Sequence, residues 1–182
     1  MGLRDIGLVL FFAAIIALLG LVPKIEHAML GGVPITAQGM GVTLAGILIG
    51  PRKGALAAIV FLVAVAFGMP ILAGGRGGLG VFTGPTAGFL FGFVPAAYIT
   101  GVVFQSLSWR MGGFLAAFLA AFVGGYVVLN LIGIPVMAWL TDKTVREAVA
   151  VAAGLLPGGL VKALATAVIV YLMAGLEPVG RR

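Results

Sequence analysis

The sequence predicts an all-α membrane protein: one integral membrane domain, residues 1–182, folded as a compact bundle of six transmembrane helices. Two observations carry this expectation. Of the 182 residues, 62% are hydrophobic and only 9% are charged, and the mean hydropathy is +1.26. Soluble domains average about 45–50% apolar and about 25% charged residues, so this chain in water would expose large greasy patches. The second observation is the arrangement. The apolar residues form successive runs, several near the roughly 20 residues that cross a bilayer, separated by glycine, proline and isolated cations.

Ile6 to Val22 is the first run. Arg4 before it resembles a signal-peptide start, but no small-residue cleavage site follows, so it reads as a retained helix. A polar, glycine-containing stretch, Pro23 to Gln38, comes next. Gly39 to Ile49 is a short second span. It ends at Gly50-Pro51-Arg52-Lys53-Gly54, a turn signal with two cations. Ala55 to Met69 is the third span, and Pro70 to Gly80 is a glycine-dense loop. Val81 to Phe104 crosses as the fourth, and Gln105 to Arg110 reads as a short interfacial connection. Gly113 to Ile134 crosses back and stops at Pro135. Thr141 to Glu147 is the most polar stretch, and Gly158 to Leu176 is the last crossing. The alternative is four spans plus a re-entrant hairpin from Gly39 to Met69; tilt or burial in the bundle accommodates the short spans equally well. Val145, Ala148, Val149 and Ala152 recur at helical spacing within Lys143 to Ala153, which predicts a short interfacial helix over the outer mouth.

With both termini cytoplasmic, the inner side holds Arg4, Arg52, Lys53, Arg110, Arg181 and Arg182. The outer side holds Lys24, Arg76, Lys143, Arg146 and Lys162. Setting aside Arg76 and Lys162 as functional, the excess of cations marks the inner side. The net charge of +6 is dispersed singly or in pairs, with no basic stripe. It reads as anchoring to membrane lipid, not as binding to nucleic acid.

The chain has no cysteine and one histidine, His27, and its five acidic residues are scattered. Thiolate zinc sites, multi-histidine metal sites and a cysteine nucleophile are excluded within one chain. General acid–base catalysis needs a positioned titratable pair, and none is in view. No enzyme activity, metal or cofactor is expected. There is no Walker motif, so the chain is not itself an ATPase.

Three features suggest binding. The segment Ala73-Gly74-Gly75-Arg76-Gly77-Gly78-Leu79-Gly80 sets an arginine among glycines. Glycine permits close backbone approach to a ligand, and freed N–H groups bind anions; the alternative is a flexible linker. Lys162 lies in the final apolar run without a neighbouring acid. Ionisable groups in such segments usually face a cavity or a partner, although a lysine also snorkels to the interface. Small residues recur at four-residue spacing in Ala13-x-x-x-Ala17 and Gly84-x-x-x-Gly88-x-x-x-Gly92. They let helices approach closely, within the bundle or, for the alanine pair, against another subunit. Together these features predict an apolar-walled pocket near the outer surface with one or two cations. It suits a small, mostly apolar molecule with an anionic end.

The blocks Pro34-Ile35-Thr36-Ala37-Gln38, Leu48-Ile49-Gly50-Pro51-Arg52-Lys53-Gly54, Gly68-Met69-Pro70-Ile71-Leu72-Ala73-Gly74-Gly75, Gly77-Gly78-Leu79-Gly80 and Gly84-Pro85-Thr86-Ala87-Gly88-Phe89 together resemble the BioY family. These are the biotin-binding S-components of energy-coupling-factor (ECF) vitamin transporters. The resemblance covers nearly the whole chain. It implies a six-helix S-component fold in a bacterial or archaeal cytoplasmic membrane, and capture of biotin from outside. It also implies partners, a transmembrane coupling subunit and two ATP-binding subunits, with Ala13 and Ala17 on the docking face. The chain departs from the family at Pro157-Gly158-Gly159, where Gly159 replaces an aspartate three residues before Lys162, and at Phe89, where tyrosine is frequent. The expected ligand contacts are Lys162 and Arg76 for the carboxylate, and Gly74, Gly75, Gly77, Gly78, Thr86 and Phe89 around the ligand. Gln38, Tyr126 and Asn130 are candidates for the ureido ring. The alternative function is an S-component or solo carrier for another small vitamin.

Overall fold

Small residues let the hydrophobic helices of this chain approach closely, around a core that also holds Ile16, Phe61, Phe93 and Met137. The computed structural model describes residues 2–22 and 36–176. Among the described residues six helices follow in order: α1 (Leu3–Leu18), α2 (Gln38–Leu48), α3 (Pro51–Ala66), α4 (Ala87–Met111), α5 (Gly113–Leu140) and α6 (Val145–Leu176). Among the described residues, α4, α5 and α6 are long and apolar enough to cross a membrane. Lys24, His27, Pro34, Ile35, Arg181 and Arg182, used in the expectations above, lie outside the described residues.

In α1, Val9, Phe12, Ala13 and Ile16 face the bundle, while Leu3, Leu10, Phe11 and Leu18 are exposed. The inward set has the spacing of one helical face. α2 has nine buried residues out of eleven. It is enclosed by its neighbours, so a length of only about 16 Å at 1.5 Å per residue suffices. α3 opens with Pro51 in its first turn after Gly50 at φ 86°, so the expected turn signal becomes a helix start. Lys53 on α3 pairs with Asp5 on α1, which puts the two helix starts at the same end of the bundle.

α4 packs against α2, α3 and α5, and glycine makes this approach feasible. A Cβ on Gly101 would lie 2.6 Å from Gly46 O and from Pro51 N, and one on Gly54 would lie 2.7 Å from Gly46 N. Three backbones therefore meet with no side chain between them. Gly88 and Gly92 face α5 in the same way, against Val136 and Leu129. Gly84 lies in the turn before α4, so the glycine series is internal packing for two of its three members.

Several boundaries differ from expectation. α4 begins at Ala87, not Val81, because Val81 belongs to a short 3-10 turn (Leu79–Phe82) and Gly84-Pro85 interrupts regular structure. Gln105 to Arg110 is not a connection. It continues α4 until Gly112 at φ 79° stops the helix. α5 runs through Pro135 to Leu140. α6 also holds a proline, Pro157, and joins the expected interfacial helix to the last crossing as one element. Within a packed apolar bundle the carbonyl that loses its donor is tolerated. α6 starts with a reciprocal cap: Glu147 N donates to Thr144 Oγ1 (3.4 Å), and Thr144 N donates to Glu147 Oε2 (2.8 Å).

Ala13 is 7% exposed and belongs to the main core cluster, with Ala17 half-buried beside it. The small pair lets α1 settle onto α2 and α3. The pair therefore serves packing inside the bundle.

Candidate ligand-binding site

One cavity collects most of the polar candidates. It lies among the start of α2, the loop after α3, the start of α4, the middle of α5 and the first half of α6. Gln38, Arg76, Thr86, Phe89, Tyr126, Asn130 and Lys162 all line it. Its free space is about 90 Å³. Sequence reasoning missed much of the apolar wall, including Leu90 and Phe93 on α4 and Leu129 on α5. Phe93 lies four residues after Phe89, Leu90 four after Thr86 and Leu129 three after Tyr126, spacings that share a helical face and are the signal that would have found them.

Lys162 is half-buried on α6. Its Nζ lies 3.7 Å from the position of a Cβ on Gly39, so it meets the first turn of α2. A helix start carries a partial positive charge and unpaired N–H groups. A cation placed there is unfavourable alone, and the two together favour an anion. Among the described residues, Lys162 has no carboxylate partner; the ion pair present is Lys53–Asp5. Arg76 adds a second cation at the exposed mouth, its Nε donating to Ala73 O at 3.3 Å.

Asn130 supplies the other polar element. Its Nδ2 donates to Tyr126 O at 2.7 Å. That carbonyl can only accept, which fixes the amide orientation. Oδ1 is then a buried acceptor with no partner among the described residues. Such a group costs about 1–3 kcal/mol if left unsatisfied, so a ligand N–H would relieve it.

Other candidates are committed to the fold. Gln38 is 2% exposed. Its Nε2 donates to Ile71 O (3.0 Å) and Ile16 O (3.4 Å), and Ala73 N donates to its Oε1 (3.1 Å). Both amide protons are used, so Gln38 clamps α1 and the loop around α2 and has no donor left for a ligand. Tyr126 gives its hydroxyl proton to Ala152 O at 2.8 Å. Gly74, Gly75, Gly77 and Gly78 do not line the cavity. Gly75 N donates to Leu72 O (2.9 Å) and Gly78 N to Val65 O (2.8 Å). These N–H groups are therefore spent within the fold instead of being offered to an anion. The glycines shape the loop that presents Leu72, Ala73 and Arg76; a Cβ on Gly77 would collide with Met69 O.

The absent acid at position 159 has a steric counterpart. A Cβ on Gly159 would lie 2.6 Å from Tyr126 Cδ2. The tyrosine ring, stacked on Phe122 at 5.2 Å, occupies the space a side chain there would need. The site thus combines two cations, a helix start and one orphan acceptor with aromatic and aliphatic walls. It suits a small apolar body bearing an anionic end and an N–H donor.

Comparisons with known proteins identify relatives of the chain. The model of the BioY family matches residues 1–178. The biotin transporter BioY of Rhodobacter capsulatus is 42% identical over 185 residues, covering 96% of this chain and 95% of that one. The biotin transporter BioY of Rhizobium etli is 42% identical over 173 residues, covering 93% and 92%. A crystal structure of the S-component for biotin from an ECF-type ABC transporter superposes with a TM-score of 0.86 at 25% identity, covering 94% of this chain and 91% of that one. The chain belongs to the BioY family.

Proposed function

We propose that this protein is the biotin-capturing S-component of an ECF-type transporter. It is a transport subunit, not an enzyme. The observation that carries the reading is the pairing, in one apolar-walled cavity, of Lys162 and Asn130: among the described residues, Lys162 has no counter-ion and the buried Oδ1 of Asn130 has no donor. Biotin carries a carboxylate, an apolar ring and chain, and ureido N–H groups. Its carboxylate meets Lys162 and the first turn of α2, with Arg76 at the mouth. Its ring system packs on Phe89, Phe93 and Leu129, and a ureido N–H donates to Asn130 Oδ1. Thr86 and the loop 73–80 border the entrance.

The bundle spans a bacterial or archaeal cytoplasmic membrane six times, with both termini inside. Arg4, Arg52 and Lys53 sit at the end of the bundle where α1 and α3 start, held together by the Asp5–Lys53 pair. The close approach of Gly101 to Pro51 brings the second half of α4, and hence Arg110, toward that end. This cluster supports its assignment to the cytoplasmic side. The cavity lies at the opposite end, among the starts of α2 and α4. A transmembrane coupling subunit and two ATP-binding subunits then energise delivery inward.

Competition tests the assignment. Detergent-purified protein stripped of ligand is loaded with radiolabelled biotin and challenged with other vitamins in excess. Unlabelled biotin should displace the label, and riboflavin and thiamine should not. Failure to retain biotin by a folded sample that binds another vitamin would overturn it.

A further inference from the structure

The wall between α5 and α6 is irregular on both sides at one level. In α5, Val123–Val128 winds as a π-helical turn with Tyr126 inside it; such turns are frequent at functional sites. In α6, Pro157 has no N–H, so Ala153 O loses its helical donor, and Gly158-Gly159 follow. The first half of α5 packs along α6, whereas its second half touches α6 much less. The opening between them is a groove of about 500 Å³, lined by residues such as Leu131, Pro135, Ala138 and Val149. Leu131 and Val149 are 69% and 63% exposed, so the groove opens to the side of the bundle.

Tyr126 and Asn130 line both this groove and the ligand cavity. One contact bridges the two helices there: the Tyr126 hydroxyl donates to Ala152 O at 2.8 Å, with the ring seated over Gly159. We propose that Tyr126 is the latch of a lateral passage between α5 and α6, joining the ligand cavity to the lipid-facing groove and admitting small apolar molecules when its hydrogen bond to Ala152 opens. Only the identity of the physiological molecule, biotin, rests on the functional reading above. The residues flanking the latch on each helix, the π turn and the Pro157-Gly158-Gly159 stretch, are those that permit local bending.

The chain has no cysteine, so a single Leu155→Cys on the cavity wall reports access without any ligand. In nanodiscs, N-phenylmaleimide labelling of this cysteine is compared with and without Tyr126→Phe, which keeps the ring and its stack on Phe122. One neutral hydrogen bond should hold the rate down by about three- to tenfold, so Tyr126→Phe should raise labelling by that factor. Adding Val149→Trp, which fills the groove from its exposed rim, should return it to the parent rate. An unchanged rate in Tyr126→Phe, or acceleration that Val149→Trp leaves intact, would overturn the proposal. Should Tyr126→Phe fail to fold, Val149→Trp alone decides. Labelling slowed at least about threefold supports the lateral route, and unchanged labelling overturns it. Absence of biotin binding in the parent protein would sink the functional reading while leaving the labelling result valid.

Discussion

Replacing Lys162 by methionine keeps the stem and removes the charge. In the structure that charge faces the first turn of α2, close to Gly39, with no acid beside it among the described residues. With biotin bound, the variant lacks one charge-assisted contact, about 1.5–3 kcal/mol. At about 1.4 kcal/mol per factor of ten, affinity should fall roughly 10- to 150-fold. Without ligand the sign differs. A cation at a helix start costs about 0.3–1 kcal/mol, so the empty variant should unfold at the same temperature as the parent or slightly higher. A lysine that merely held the fold together would give a lower one. Equilibrium dialysis with radiolabelled biotin measures the first effect and thermal unfolding in detergent the second. Biotin methyl ester closes the cycle: parent and variant should bind it within about threefold of each other. Equal biotin affinity in parent and Lys162→Met, or an ester that loses as much affinity as biotin does, would refute the reasoning.

Asn130→Leu removes the orphan acceptor and should weaken biotin by about 1–3 kcal/mol without lowering the stability of the empty protein; dialysis and thermal unfolding read the two effects. Gly101→Ala drives a methyl against the backbones of Gly46 and Pro51. Overpacking of this kind costs about 1–3 kcal/mol, visible as a lower unfolding temperature with the site chemistry untouched. Lys53→Met breaks the Asp5 pair, whose side chains are 37% and 29% exposed. A pair so open to solvent is worth about 0–1 kcal/mol, so the unfolding temperature should barely move.

The order of the six helices among the described residues was legible because each one coincides with an apolar run of the sequence. Helix ends were less so. Hydropathy reports the solvent a residue meets, not whether its backbone stays helical. Gln105 to Arg110 is polar yet continues α4, and Pro135 and Pro157 lie inside helices. Ala13 shows a further limit: four-residue spacing identifies a smooth face but not what it meets, and here it meets the core. In the site, Lys162 stood out because a lone cation in an apolar run has few reasons to exist. Phe93 and Leu129 did not, since a cavity wall and a packed core use the same residues. The loop glycines announced a turn but not how their N–H groups are spent, because that depends on Leu72 and Val65 being close in space. Gly159 registered as a missing acid; only the position of the Tyr126 ring gives the steric reason.

The central claim is that this cavity holds biotin by its carboxylate. Calorimetric titration of the purified chain, first stripped of ligand and checked by mass spectrometry, tests it most directly. Saturable heat at one biotin per chain, with binding at least about tenfold weaker for the methyl ester, is the expected result. No heat from a demonstrably folded sample, or equal binding of acid and ester, would contradict the account.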